Sequence, residues 1–200
     1  MLNLLLPKRC AFCRRPHPDG LCETCRDELP WRIKPYDGIV AAPLLYRGAV
    51  RSALHRYKFR GVWGGAEIFG ELMAAAVRSA GAEADIITWV PCSFARRWTR
   101  GYDQARKLAQ SVGKRLCLPL ERTLRKIRHT RSQTKMPDSE ARRANVRGAF
   151  GVRADAVIAG RRILLIDDIH TTGATLDECK RLLLGAGAAS VVCCAVAARR

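Results

Sequence analysis

The chain has 200 residues of which 48% are hydrophobic, enough for one buried core. No apolar run reaches the roughly 18–20 residues of a membrane span, so stable membrane insertion is excluded as an expectation. Lys and Arg number 36 against 18 Asp and Glu, a net +18, and the stretch Arg96–Arg147 alone holds 16 basic and four acidic residues. A field that concentrated attracts polyanions, whether nucleic acid, phosphorylated metabolites or an acidic partner. An arginine-rich, solvated surface accounts for the charge alone equally well.

The opening Met1-Leu2-Asn3-Leu4-Leu5-Leu6 is too short for a signal peptide, and its basic residues follow the apolar stretch, so a cytoplasmic chain is expected. Cys10-x2-Cys13 and Cys22-x2-Cys25 then form two knuckles separated by eight residues. In a reducing compartment such a pair places four thiolates where they converge on a tetrahedral Zn²⁺. A redox pair or an iron–sulfur cluster explains the two symmetric knuckles less simply. The filled ligand set makes the zinc structural, supplying the folding energy that so short a module lacks in its core. His17 reads as a loop residue, with replacement of one cysteine left open. The remaining cysteines, Cys92, Cys117, Cys179, Cys193 and Cys194, lie among apolar neighbours as small core residues.

A boundary is expected near Pro30–Asp37, dividing a zinc module (1–37) from a larger domain (38–200). In the larger domain, 39–48 reads as a strand, Val50–Phe59 and Glu67–Ala80 as helices, and 86–91 as a short buried strand stopped by proline. Ala105, Leu108, Ala109, Val112 and Leu116 recur at helical spacing over Asp103–Leu116. Residues 121–137 read as a weak strand leading into a polar loop, and 138–145 as a short helix capped by Asp138 or Ser139. "AFGV" reads as a further strand, Arg161–Asp167 as a strand, Leu176–Leu184 as a helix and Ser190–Ala197 as a last strand. This alternation implies an α/β fold, a mostly parallel sheet flanked by helices.

The stretch "ILLIDDIHTTGATL" (163–176) carries the chemistry. An apolar strand ends on two carboxylates, and a loop of small residues opens the next helix. Such a loop lets several backbone N–H groups approach one phosphate, aided by the helix dipole. Asp167 and Asp168 would repel a phosphate and suit ribose hydroxyls or Mg²⁺ instead. A sugar phosphate satisfies both halves. A magnesium-binding strand of a P-loop ATPase fails, because no G-x-x-x-x-G-K-[ST] occurs in the chain. Simple helix capping by Asp168 would need neither both acids nor so long a small-residue loop.

This stretch resembles the phosphoribosyl-pyrophosphate (PRPP) signature of type I phosphoribosyltransferases. Together with "VPCSFARRWTRGYDQARKLA" (90–109), "RSQTKMPDSEARRANVRGAF" (131–150), "YRGAVRSALHRYKFRG" (46–61) and the N-terminal knuckles, it resembles the ComF family of competence proteins along essentially the whole chain. The resemblance implies a type I phosphoribosyltransferase-like domain. Asp167 and Asp168 would be its catalytic pair and hold the ribose hydroxyls. Thr171, Thr172, Gly173, Ala174 and Thr175 would hold the 5′-phosphate, and Pro91, Cys92 and Ser93 the pyrophosphate, with Mg²⁺ accompanying PRPP. Asp103 departs from the family's Asn in the Arg100–Gln104 run, and an extra charge there either points away or retunes the site. His170 occupies a variable position and is not read as a base.

The family further implies a role in natural transformation, handling single-stranded DNA as it enters the cytoplasm, with a helicase-like competence ATPase as an expected partner. Arg96, Arg97, Arg100, Arg128, Arg131, Arg142 and Arg143 would follow the DNA backbone while Trp98 and Tyr102 offer stacking faces. The competing reading places both aromatics in the core. The alternative function is an active phosphoribosyltransferase of nucleotide salvage, in which the 128–147 segment closes over the site and Arg131, Gln133, Arg142 and Arg143 supply charge. A PRPP-sensing regulator is a third class. No acceptor-selecting hood is legible in residues 46–80.

Overall fold

In a computed structural model, residues 8–59, 65–93, 98, 101–130 and 138–199 are described. Arg96, Arg97, Arg100, Arg131 and Gln133 lie outside them.

The centre is β6 (Arg162–His170), paired in parallel with β7 (Ser190–Ala198) on one side and β3 (Ile86–Trp89) on the other. Beyond β7 lie β1 (Val40–Ala41) and β2 (Leu44–Leu45), end to end along the same edge, so all five strands of this sheet are parallel. The single strand expected over 39–48 is thus two short ones. Pro43, between them, has no N–H for the ladder, so pairing is interrupted there.

Both faces of β6 are apolar because both are covered. Leu164 and Ile166 point into a cluster with Phe69, Met73, Leu108 and Val112. That face is covered by α2 (Gly48–Phe59), α3 (Gly65–Ser79) and α4 (Gln104–Leu116). Ile163 and Leu165 point the other way, against Leu176, Cys179 and Leu183 of α6 (Ala174–Gly185). "AFGV" forms β5 (Phe150–Val152), but it pairs antiparallel with β4 (Leu124–Lys126) in a separate two-stranded sheet. Between them α5 (Ser139–Val146) is capped by Asp138, whose side chain accepts the N–H of Ala141.

The zinc module contains a helix the sequence did not announce, α1 (Glu23–Glu28). Residues 30–37 do not hang as a linker. Trp31 and Tyr36 bridge to Leu44 and Ala41, and the Arg32 guanidinium donates to the carbonyls of Pro35, Val40 and Ala42 and pairs with Asp37 at 2.7 Å. Of the cysteines read as core, Cys179, Cys193 and Cys194 are buried. Cys92 is half-buried, and Cys117 is exposed, ending α4 in the left-handed region at φ 55°. Among the described residues no helix is long and apolar enough to cross a membrane.

Helices α3 and α4 cross in close contact. A Cβ added at Gly70 would lie 2.2 Å from the Ser111 Oγ and 2.5 Å from its Cβ. Gly70→Ala should cost about 1–3 kcal/mol by overpacking, which for a chain of this size lowers Tm by roughly 2–12 °C. Gly185→Ala meets nothing within 4 Å and should leave Tm unchanged or slightly raised. Thermal melts of the two variants check this, and equal Tm values would contradict it.

Candidate functional site

The strand that carries the carboxylates runs three residues further than its sequence suggests. Asp167 pairs with Ala195, Ile169 with Ala197 and His170 with Ala198, so the acids sit within the ladder and not in a loop. Alternation along the strand then sends them to opposite faces. Asp167 follows Ile163 and Leu165 toward α6, while Asp168 follows Leu164 and Ile166 toward α2. Asp167 Oδ1 accepts the N–H of Asp168 at 2.8 Å. Burial, then the Asp168 charge, push Asp167 up to about 8, against the pull of that N–H and of Lys58.

Only Thr171–Gly173 remain as a turn before α6 begins. Gly173 lies at φ 79°, and a Cβ there would meet Asp177 Oδ2 at 2.8 Å and His170 Nε2 at 3.1 Å. The turn therefore needs glycine on both counts. No side-chain cap hydrogen bond is made at the start of α6, where the Asp177 carboxylate lies back beside Gly173. Gly173 and Ala174 are buried, Thr172 and Thr175 half-buried and Thr171 exposed. His170 is held down from its ordinary value by burial, consistent with a packing residue.

The neighbouring strand delivers Pro91, Cys92 and Ser93 to the same edge, since the Val90 N–H donates to the Ile166 carbonyl at 2.9 Å. Asp103, the departure from the family pattern, caps α4 by accepting the N–H of Arg106 at 3.2 Å. Its other oxygen faces the Trp89 indole N–H at 3.3 Å and the Cys92 N–H at 3.4 Å. Its charge is thus met by N–H donors on both oxygens.

Sequence reasoning missed Lys58. The last turn of α2 places its Nζ 2.8 Å from Asp168 Oδ2, with the two side chains 21% and 16% exposed. It lies inside the 46–61 stretch that carries the family resemblance, but its role shows only once α2 is placed against the sheet. The carboxylate oxygens are the right donors for Mg²⁺. One of them, Asp168 Oδ2, is already taken by the Lys58 ammonium group.

The residues expected on DNA separate. Trp98 is 79% exposed. Tyr102 is 7% exposed, its hydroxyl donates to the Tyr57 carbonyl and its ring packs against Tyr57 with centroids 5.8 Å apart. This corrects the expectation of a stacking face at Tyr102, because the ring's apolar area is already used in the core. Arg128 donates to the carbonyls of Asn145 and Arg147 at 3.1 and 3.0 Å, bracing the end of α5. Arg142 is half-buried and Arg143 exposed.

At the other end of α2, the Sγ atoms of Cys10, Cys13, Cys22 and Cys25 all lie within 4.8 Å of one another, with Cys13 and Cys22 3.6 Å apart. A tetrahedral Zn²⁺ with Zn–S of about 2.3 Å requires S···S edges of about 3.8 Å, so the cluster fits the metal. Burial raises the Cys10 thiol, but N–H groups of Cys22, Cys13 and Phe12 outweigh it and bring it to about 6. His17 stays outside the cluster, its Nδ1 facing the Asp19 N–H at 3.3 Å. The module docks through Phe12 on Phe69, with centroids 5.8 Å apart, and through Arg56, whose guanidinium donates to the carbonyls of Ala11 and Phe12.

Two cavities among the described residues lie away from this edge. One of about 40 Å³ sits between the module and α2–α3, and one of about 290 Å³ lies near Arg78, Leu116 and Arg162 at the opposite edge of the sheet.

A parallel sheet with a carboxylate pair and a small-residue turn at its C-terminal edge defines a type I phosphoribosyltransferase-like protein. A family model described as phosphoribosyl transferase domain matches residues 99–200, and one described as double zinc ribbon domain matches residues 1–51. Within the latter span the sequence has four cysteines, a complete set for one zinc ion. Over 190 residues the chain is 30% identical to DNA utilization protein YhgH of Salmonella typhimurium, covering 91% of this chain and 80% of that protein. It is 27% identical over 209 residues to Competence protein F of Haemophilus influenzae, covering 88% and 90%. Among solved structures, the glutamine PRPP amidotransferase from B. subtilis overlaps with a TM-score of 0.46 at 22% identity, covering 70% of this chain and 30% of that one. The chain belongs to the ComF family of competence proteins.

Removing the metal ligands should act beyond the module. Cys13→Ser with Cys25→Ser should abolish zinc content, read by atomic emission, and strip hydrogen-exchange protection from residues 8–29. It should also cost roughly 2 kcal/mol or more, about 4–8 °C in Tm for a chain of this size. Unchanged metal content or unchanged protection would contradict a structural zinc.

Proposed function

We propose that this protein binds PRPP at the β6–α6 edge and handles single-stranded DNA entering the cytoplasm during natural transformation. The observation that carries the first half is the joining of Asp167 and Asp168 to an uncapped, glycine-turned helix start, with Pro91–Ser93 alongside. In this reading the ribose hydroxyls donate to the carboxylates, and the 5′-phosphate accepts from the first-turn N–H groups and the threonine hydroxyls of α6. The pyrophosphate lies against 91–93, and any Mg²⁺ travels with it.

Support for the second half comes from the relatives named for competence and DNA utilization, from the basic excess over 96–147 and from exposed Trp98. Trp98 supplies the stacking face, and Arg96, Arg97, Arg100, Arg131, Arg142 and Arg143 supply charge along the strand. Tyr102 is left out because it is core, and Arg128 serves first as a brace. The alternative, a salvage phosphoribosyltransferase, requires an acceptor nucleophile and is decided by turnover. A helicase-like competence ATPase is the protein partner this reading expects.

The first experiment incubates the zinc-loaded protein with Mg²⁺ and PRPP, adds nucleobases or ammonia in turn, and measures pyrophosphate release. Binding of PRPP without release, lost in Asp167→Asn with Asp168→Asn, is the expected result. Release that depends on one acceptor and vanishes in that variant would make the protein an enzyme and overturn the proposal in favour of salvage. Absence of PRPP binding would remove the site reading altogether.

DNA binding is read at several salt concentrations, because a chain of net +18 binds polyanions at low salt whatever its role. Trp98→Ala should weaken binding of a labelled oligonucleotide by about five- to 150-fold, the range that loss of about 1–3 kcal/mol of base stacking implies. PRPP should alter that binding, since the basic stretch and the phosphate edge adjoin. An oligonucleotide affinity indifferent to both Trp98→Ala and PRPP would sink the DNA reading.

A further inference from the structure

Lys58 differs from a surface lysine reaching for the nearest acid. Its side chain and that of Asp168 are both mostly covered, and their separation is 2.8 Å. The helix presenting it has little freedom, for the two residues before it are already committed. Arg56 donates to the Ala11 and Phe12 carbonyls, and the Tyr57 hydroxyl donates to the Gln104 carbonyl at 2.8 Å while its own carbonyl accepts from Tyr102. Lys58 is therefore delivered to Asp168 by a fixed scaffold.

Asp167 and Asp168 face opposite sides of the sheet, so on the α2 side Asp168 is the carboxylate that a divalent cation would approach. Mg²⁺ binds oxygen at about 2.0–2.1 Å in near-octahedral geometry, and it cannot take the Asp168 oxygen that already holds an ammonium group without repelling that group. The geometry points to Lys58 as the site's own counter-ion, a positioning residue that takes the place of a divalent cation on Asp168 and leaves the carboxylates to accept ribose hydroxyls. This rests on the proposed ribose-phosphate site for its ligand, while its statement about the cation stands apart from any ligand. A ligand carrying ribose and 5′-phosphate alone is then held without a divalent ion, and only the pyrophosphate arm calls for one.

Two measurements test this on the full, zinc-loaded chain. Mn²⁺ is first titrated by electron paramagnetic resonance with no sugar present, and it competes poorly for thiolate sites. Wild type should show no tight Mn²⁺ at the carboxylates, Lys58→Met should gain one ion per chain, and Lys58→Arg should behave as wild type. Adding Asp168→Asn to Lys58→Met should remove the gained ion. Wild type holding Mn²⁺ as tightly as Lys58→Met, or no gain in Lys58→Met, overturns the inference.

Calorimetry with ribose 5-phosphate follows, in buffer with added Mg²⁺ and in buffer without divalent ions. Wild-type affinity should agree within about twofold between the two, whereas Lys58→Met should lose about tenfold or more without Mg²⁺ and recover with it. Tighter binding by Lys58→Met without Mg²⁺ would make Lys58 a competitor of the ligand and overturn the inference. Ribose 5-phosphate failing to bind any form defeats the ribose-phosphate site itself, and the Mn²⁺ series still decides the role of Lys58.

Discussion

Two neighbouring carboxyl groups at the end of a buried strand are the constraint around which this molecule is arranged. Burial and the charge of Asp168 both disfavour ionising Asp167, which is held well above the ordinary carboxyl range. The fold meets that cost in three ways. Strand alternation sends Asp167 and Asp168 to opposite faces of the sheet. The Asp168 N–H is turned onto Asp167, and Lys58 is brought onto Asp168. Small partners on β7, Ala195 and Ala197, allow the ladder to continue past both acids, so their backbones remain fixed.

Meeting the charge in this way places demands on α2. Three consecutive residues, Arg56, Tyr57 and Lys58, reach respectively to the zinc module, to the start of α4 and to the carboxylates. A helix turns by about 100° per residue, so three successive side chains point in three directions and one turn can brace three neighbours. The zinc module is one of those braces. A zinc ion held by its four cysteines would supply folding energy there, and Phe12 on Phe69 together with Arg56 ties the module to the elements around the helix carrying Lys58.

Legibility in the sequence follows the range of the interactions. The helices at 48–59, 65–79 and 104–116 and the strands β3, β6 and β7 were readable because periodicity and capping are local, as with Asp138 before α5, whereas the cap that Asp103 gives α4 was not foreseen. The four thiolates were readable because ligand spacing is local too. What escaped was set by partners far along the chain. The extension of β6 to His170 depends on β7, the break at Pro43 shows only against β7, and Lys58 meets Asp168 across more than a hundred residues. Tyr102 illustrates the same limit: between Arg100 and Asp103 it looks like a stacking residue beside charge, yet Tyr57 buries it.

The distribution of arginine carries a related lesson about charge. A net +18 suggests a surface made for polyanions, but many of the guanidinium groups hold the chain to itself. Arg32 gathers three carbonyls and Asp37, Arg128 braces α5, Arg162 pairs with Glu83 and Asp85, and Arg181 pairs with Glu178. Glu178 in turn accepts the Gly148 N–H at 2.9 Å, tying the end of the basic segment to α6. Net charge governs how a polyanion approaches, whereas recognition depends on groups not already committed inside the fold. At the β6–α6 edge the donors suited to a phosphate are chiefly backbone N–H groups, whose direction is fixed by the fold. In the proposed reading, selectivity for a sugar phosphate over a bare polyanion would come from the carboxylates beside them, which repel a phosphate and accept a hydroxyl.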